Sequence, residues 1–480
     1  MAGVELSRPE RRACQGGPGD AACHRVQNQV RSRWSHCDRR TCFDRLSQAG
    51  GMIVRDDSIH RGSRPLHAAP AWLDGQRIRI YAAFVVLVNI GYFSLRVWFG
   101  CIDRIPNVSP PGWDFAVFWS ASWLALHGPA ASVFDTALIE RIALPLQNML
   151  PTPFVTPWTY PPTFLLVMLP AALLPFPVSY LAYVSTGMAF AYHVCARILP
   201  AVRNASWWLS VVAFPAVWVA AGAGQNSFLT FGLMGLGLIS LARRPWLAGI
   251  CFGLLAIKPQ LGLVIPIALL FGRHWRAFAS AALTVGAFSA LAGLVLGFDT
   301  FSRFAQALPA FSQFVVEYSD RWPRGISTVF GAARHFGVAV PTAYGLHAVV
   351  AALAASAVAW LWAVRARFEL RASVLVLATL LVPTYVMPYD LLLLGLPMLW
   401  LVRDGARNGW LRGDGVAVVS AWLSPLVFYT PGDWATGVYV PVIVFALLIV
   451  IVRRHLAQQA VRAGKRQLAD INAGTGLAAK

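Results

Sequence analysis

The sequence predicts an all-α protein, a polytopic membrane helix bundle, and three observations carry that prediction. Hydrophobic residues make up 57% of the 480 and charged residues only 13%, about half the share of charge in an ordinary soluble domain. The apolar residues fall in blocks, among them 207–221, 245–257, 259–271, 277–297, 372–387 and 436–452. Unpaired backbone amides are costly in hydrocarbon, so such blocks are read as helices. Beyond residue 75 the arginines stand at the ends of these blocks, as the positive-inside tendency requires. The formal net charge of +19 is thereby accounted for without nucleic acid, whose binders gather their cations on one face of a polar domain. The 39 Gly and 31 Pro suit membrane helices and re-entrant hairpins better than a soluble bundle.

Residues 1–75 differ in kind. They are polar and Arg-rich and hold four of the seven Cys, and no apolar core of a signal peptide precedes the first helix. They read as a disordered basic cytoplasmic tail. Met52 would open an equally sensible short tail, so the residues before it can be an over-long start. Cys14, Cys23, Cys37 and Cys42 lack metal-ligand spacing, and Cys195 and Cys251 lie in apolar blocks as packing residues.

Charge sets the expected sidedness. Arg77 and Arg79 hold the start of the first helix, about 80–95, inside, which makes 96–160 an outer loop. Helices 177–196, 207–221, 226–241, 245–257 and 259–271 then alternate between Arg197 and Arg203, Arg243 and Arg244, and Arg273 and Arg276 on the inner side. Helix 277–297 leads to a second outer loop, 298–342. Helices 343–363, 372–387, 389–402, 415–431 and 436–452 complete about twelve crossings within a transmembrane domain 76–456, followed by a cytoplasmic tail 457–480. The apolar stretch 162–175, hemmed by Pro161, Pro162, Pro170, Pro175 and Pro177, falls short of the roughly 20 residues of a full span. It reads as a re-entrant hairpin.

Several polar residues interrupt this apolar background. Asp114, in Pro110-Pro111-Gly112-Trp113-Asp114-Phe115, lies among aromatics at the membrane surface, where lost water raises a carboxylate's pKa and improves it as a base. It reads equally as the N-cap of the following helix, and Asp135 as the cap of helix 136–148. Tyr160-Pro161-Pro162 opens the hairpin, so Tyr160 either lines a site or sits as an interfacial aromatic. The amides of Gln225 and Asn226, after Gly224, suit hydroxyl recognition, or make a polar turn. Lys258, in Lys258-Pro259-Gln260, is a lone charge in the apolar stretch 245–271. Such a charge is expensive and usually functional, and a lipid phosphate is a fitting partner; the structural alternative is snorkelling. Arg324 and Arg334 in the second outer loop are candidates to share that phosphate. Asp390, in Met387-Pro388-Tyr389-Asp390, needs a partner, for which Lys258 and the loop arginines are candidates. No phosphate-cradling glycine loop and no His or Cys cluster with metal spacing is present, so no cofactor is expected and no metal is indicated.

In order and spacing, several short stretches over residues 110 to about 400 resemble a known family. They are Asp114-Phe115 with Trp119 and Ala121, then Gly128, Phe134-Asp135, Tyr160-Pro161-Pro162, Gly224-Gln225-Asn226-Ser227, Arg244-Pro245 with Ala248-Gly249, Lys258-Pro259-Gln260 and Tyr389-Asp390. The sequence resembles the bacterial membrane glycosyltransferases of family 87 (DUF2029), relatives of polyprenol-phosphate-mannose-dependent mannosyltransferases. The resemblance implies a GT-C fold and a catalytic aspartate in the first outer loop. The implied donor is a polyprenyl-phosphate-linked sugar, and inversion at the anomeric carbon is expected. Carried over, Asp114 is the base. Lys258 and Arg324 hold the donor phosphate, and Gln225 and Asn226 lie near the sugar or the acceptor; Tyr160, Gln260 and Asp390 are the further candidate substrate-binding residues. The second outer loop departs from the family's cleaner polar motif at Arg324-Gly325-Ile326-Ser327, and the basic tail lies outside the resemblance.

The reading that follows is an enzyme of the bacterial inner membrane with its site toward the periplasm. It moves a hexose or pentose, mannose favoured, to a lipid or glycan acceptor of the envelope. Two rivals remain from the residues alone. One is a transporter or flippase for a lipid-linked sugar, which should show two related halves; no internal repeat is evident. The other is a non-catalytic envelope assembly protein.

Overall fold

The computed structural model describes residues 75–150, 158–317, 325–429 and 437–477. The amino-terminal tail with its four cysteines and Met52, and Arg324 of the second outer loop, lie outside the described residues. Within them every regular element is a helix, as an apolar chain that must satisfy its own amides requires.

Four helices are long and apolar enough to cross a membrane: Gly75–Ile102, Trp275–Leu296, Val340–Ala363 and Gly437–Gly464. They match the expected spans 80–95, 277–297, 343–363 and 436–452. Their outward residues are large and apolar, with Phe84, Leu87, Leu283, Leu294, Val349 and Val442 all exposed, the surface that lipid rather than water would cover. At the centre is α15 (Phe368–Leu381), where all but the first turn and Arg371 are buried. A helix apolar all round is one packed on all sides.

Between these stand shorter pieces, and the breaks have local causes. The expected span 207–221 is two helices, α6 (Ala205–Val212) and α7 (Pro215–Ala223), divided at Pro215. Gly224, at φ 69°, ends α7, and α8 (Ser227–Ser240) begins three residues on. The stretch 245–271 breaks at Lys258-Pro259 into helical pieces Pro245–Ile257 and Pro259–Phe271. The expected span 372–387 stops at Leu381, and a 3-10 segment, Pro388–Leu394, leads into α16 (Gly395–Asn408). Proline lacks the amide hydrogen that would continue a helix, which is why it recurs at these starts. The stretch 162–175 is a short α4 (Pro162–Met168) closed by a 3-10 turn, Leu169–Leu173. The outer loop 96–160 contains α2 (Trp113–His127) and α3 (Thr136–Gln147), and Asp135 caps α3 through the Ala137 amide at 3.0 Å, as expected. Residues 457–477 are helical and continue the last helix, α18 (Val440–Leu477).

The bundle has two polar ends. One gathers Asp114, Tyr160, Gln225, Lys258 and Asp390. At the other, α18 is pinned by Arg454, whose guanidinium donates to Asp404 and Asp414, with Arg367 also on Asp404 at 3.0 Å and Arg453 on Asp414. An apolar cleft of about 1150 Å³ lies between α1 (Gly75–Val97), α5 (Phe176–Ile198), α16 and α17 (Asp414–Leu423); none of the polar-end residues line it.

Candidate functional site

Asp114 occupies the first turn of α2. The helix is capped by Gly112, at φ 89°, whose amide donates to the Gly222 carbonyl at 2.6 Å. The cap reading of Asp114 is therefore replaced: its carboxylate faces the break between α7 and α8. Gly224 makes the approach possible, because a Cβ there would stand 2.6 Å from the Cβ of Phe115. Gln225 follows in the break, and its Nε2 donates to Asp114 Oδ2 at 2.9 Å. Its Oε1 accepts from the Tyr160 hydroxyl at 3.0 Å and from the Asn226 amide at 3.3 Å. A backbone amide can only donate, so it fixes which end of the Gln225 side chain is oxygen. Gln225 must then donate to Asp114, and the bond favours the ionised carboxylate.

Asp114 lies in the connection between the first span and α4, outside the membrane spans. It keeps a partly exposed edge while protein packed on its other sides strips most of its water. That burial pushes its carboxyl up from 3.8 to about 6; the Gln225 hydrogen bond and the charge of Lys258 pull it down, and Asp390 pushes it up. The result is a base that is ionised at neutral pH yet strong enough to take a proton.

Lys258 does not snorkel to water; it is buried in an ion pair. Its Nζ meets Asp390 Oδ1 at 2.5 Å, with the two residues 2% and 1% exposed, and lies 4.8 Å from the Tyr389 ring centroid. Asp390 Oδ2 accepts the Met387 amide at 3.2 Å. The partner that Asp390 needed is Lys258. A lysine has three donors, so two remain after Asp390. Removing one member of such a buried pair typically costs about 3–5 kcal/mol.

Asn226 is fully buried, and neither its Oδ1 nor its Nδ2 has a partner; the same is true of the adjacent Ser227 Oγ. Gln260 is half-buried and its side chain makes no hydrogen bond among the described residues. Arg334 donates to the Val338 carbonyl at 2.7 Å. Two residues joined the site without being anticipated. Tyr385 lies within electrostatic reach of Asp114 and Asp390; Pro383 and Pro388 bracket it and were the available signal that the span is broken there. Trp158 stacks on Phe164 at 5.8 Å, and both pack against Tyr160 and Phe118. Its signal was an aromatic run, Trp158 to Tyr160, directly before two prolines. Among the described residues no three His, Cys, Asp or Glu side chains group as metal ligands would.

The fold and site define a polytopic helical membrane protein with a shielded carboxylate and a buried ion pair at one end. Residues 158–386 match the model of glycosyltransferase family 87, a stretch of just under half the chain. Tyr160, Gln225, Asn226, Lys258 and Gln260 fall inside the matched stretch; Asp114 and Asp390 flank it. The chain is 27% identical over 244 residues to a polyprenol-phosphate-mannose-dependent alpha-(1-2)-phosphatidylinositol pentamannoside mannosyltransferase of Mycolicibacterium smegmatis, covering 48% of this chain and 56% of that one. It is 31% identical over 196 residues to an alpha-(1->3)-arabinofuranosyltransferase of Mycobacterium tuberculosis, covering 38% and 42%. The matches thus span about half the length of these curated relatives. No solved structure matches the chain.

Proposed function

We propose that the protein is a GT-C type glycosyltransferase of the bacterial inner membrane, with about twelve crossings and its site toward the periplasm. It transfers a sugar from a polyprenyl-phosphate donor to a hydroxyl of a lipid or glycan acceptor. The observation that carries this reading is Asp114, its carboxyl held near pKa 6 and oriented by Gln225 at the bundle end that also holds Lys258 and Asp390. The family match of residues 158–386 supports it.

In the proposed reaction the acceptor hydroxyl attacks the anomeric carbon from the face opposite the phosphate. The new C–O bond forms as the bond from the anomeric carbon to the phosphate oxygen breaks, and that oxygen leaves with the electron pair. The hydroxyl proton passes to the free oxygen of Asp114. Inversion follows from this geometry. The polyprenyl phosphate is already an anion and needs little acid help; the free donors of Lys258 offset its charge while Asp390 keeps the lysine in place. The unpaired amide of Asn226 receives sugar hydroxyls. One relative is named for mannose from a polyprenol phosphate and the other for arabinofuranose, so a hexose, mannose first, and a pentose are the donors to test.

The test is incubation of purified protein with radiolabelled polyprenyl-phosphate mannose or arabinose and a glycolipid acceptor. Label in the acceptor supports the proposal. Movement of intact donor across vesicles without cleavage would replace it with the transporter reading.

A further inference from the structure

At the end of the bundle opposite Asp114, cations are treated in two ways. On one side Arg367, Arg403, Arg407, Arg453 and Arg454 each meet a carboxylate of Glu369, Asp404 or Asp414. A few residues away stands a second group. The side chains of Arg365 and Arg371 make no ion pair and no hydrogen bond among the described residues. The charges that act on His274 are those of Arg371 and Arg365, and the charge that acts on Arg371 is that of Arg365; neither set contains a carboxylate.

The group is built around a buried ring. The Arg371 guanidinium lies 5.3 Å from the centroid of Trp362, and the His274 ring meets the same indole edge-on at 5.7 Å. The indole Nε1 donates to the Arg371 carbonyl at 3.0 Å, which fixes the indole against the start of α15. The turn carrying His274 lies flush on the indole: a Cβ on Gly272 would come within 2.6 Å of Trp362 and 2.8 Å of His274. His274 Nε2 and Arg371 Nε are both buried without a partner. Arg371 and His274 are thus held on one ring with Arg365 exposed close by, and among the described residues no carboxylate pairs with either arginine; the partly buried Arg371, with its Nε unpartnered, is the group that an arriving anion would complete. Beside the group Phe271, Trp275 and Val364 are exposed, and so are Arg273 and Arg276 of the same turn. They stand at or next to the ends of the long apolar helices Trp275–Leu296 and Val340–Ala363, and aromatic side chains gather at such ends where a helix leaves the hydrocarbon.

We propose that Arg365, Arg371 and His274, set around Trp362, bind the phosphate of an anionic phospholipid in the leaflet opposite the Asp114 end. Guanidinium groups match phosphate oxygens in geometry as well as charge. Basic pockets between membrane helices favour such head groups. The exposed Phe271, Trp275 and Val364 favour a lipid over free phosphate, because they would lie along its acyl chains. The site is independent of the proposed transfer reaction.

The experiment is native mass spectrometry of the full chain released from nanodiscs of phosphatidylcholine with 20% phosphatidylglycerol, an amount on the order of that giving a substantial negative surface. Wild type is expected to retain phosphatidylglycerol in preference to phosphatidylcholine. Arg365→Gln, at an exposed position that leaves folding intact, should reduce that retention several-fold, and Arg365→Gln with Arg371→Gln at least tenfold. Arg407→Gln, in the paired group, should leave it unchanged. Equal retention in Arg365→Gln and wild type would overturn the proposal. Displacement of the lipid by millimolar inorganic phosphate would also overturn it, in favour of a free-phosphate site.

Discussion

At one end of the bundle Asp404 and Asp414 are saturated. Asp404 takes Arg367 and Arg454 on Oδ2 and the Asn408 amide on Oδ1, at 3.0 Å for the last. Asp414 takes Arg453 on Oδ1, and Arg454 and the Leu411 amide on Oδ2. At the other end Asp114 has one oxygen held by Gln225 and the other without a partner among the described residues, and nearby Asn226 is buried with its whole amide unpaired. Both ends remove carboxylates from water, so the contrast lies in satisfaction and not in burial. A saturated network tethers helices; an unsaturated one is suited to something that arrives from outside. Lys258 and Asp390 stand between the two cases, with both oxygens of Asp390 in use but lysine donors to spare.

The contrast can be broken by substitution. The largest effect belongs to Asp114→Asn, which keeps shape and removes the base; transfer should fall about 10²–10⁴-fold, with donor retention unchanged in a filter-binding assay. Next, Lys258→Met strands Asp390 and should destabilise the fold by about 3–5 kcal/mol, read as a lower unfolding temperature in detergent. Replacing both, as Lys258→Met with Asp390→Leu, should recover most of that stability without recovering transfer. Gln225→Leu removes the bond that favours ionised Asp114. Its carboxyl, already raised to about 6, moves higher still. Because the base works only when deprotonated, the acid limb of the pH–rate profile should move upward by roughly one unit or more, for a charge-assisted bond of about 1.5–3 kcal/mol. The loss should be greatest below neutrality and smaller at high pH. Asn226→Leu discards an unsatisfied buried amide and should raise the unfolding temperature while reducing transfer about tenfold. Smallest is Arg407→Ala: the residue is 59% exposed in its pair with Glu369, and such pairs contribute about 0–1 kcal/mol.

The apolar blocks made the helical membrane bundle legible because hydrocarbon leaves the chain no other way to satisfy its amides. Breaks were harder to read. The Lys258-Pro259 interruption was visible as a lone charge, yet the stop at Leu381 lay inside a block read as one span to Met387, where Pro383 was the signal passed over. Pairing was less legible again. Lys258 and Asp390 stand 132 residues apart, and each could be seen to need a partner, but only the fold, which brings Lys258 to Tyr389 and Asp390, chooses one. That choice gives Asp390 one of the partners the sequence offered it. The role of Gln225 was partly hidden for the same reason: a polar amide near a sugar site suggests contact with sugar, whereas its geometry ties it to Asp114. Tyr385 and Trp158 were passed over because aromatics in apolar segments are ordinarily packing.

The account rests on Asp114 acting on a lipid-borne sugar at the end where Lys258 and Asp390 sit. The most direct measurement is single-turnover transfer from radiolabelled polyprenyl-phosphate sugar, with wild type and Asp114→Asn compared in the same vesicles at pH 5 and pH 7.5. Wild type should transfer faster at pH 7.5 than at pH 5, following ionisation near 6, and Asp114→Asn should bind donor but transfer almost none at either pH. Transfer by Asp114→Asn at the wild-type rate would contradict the account.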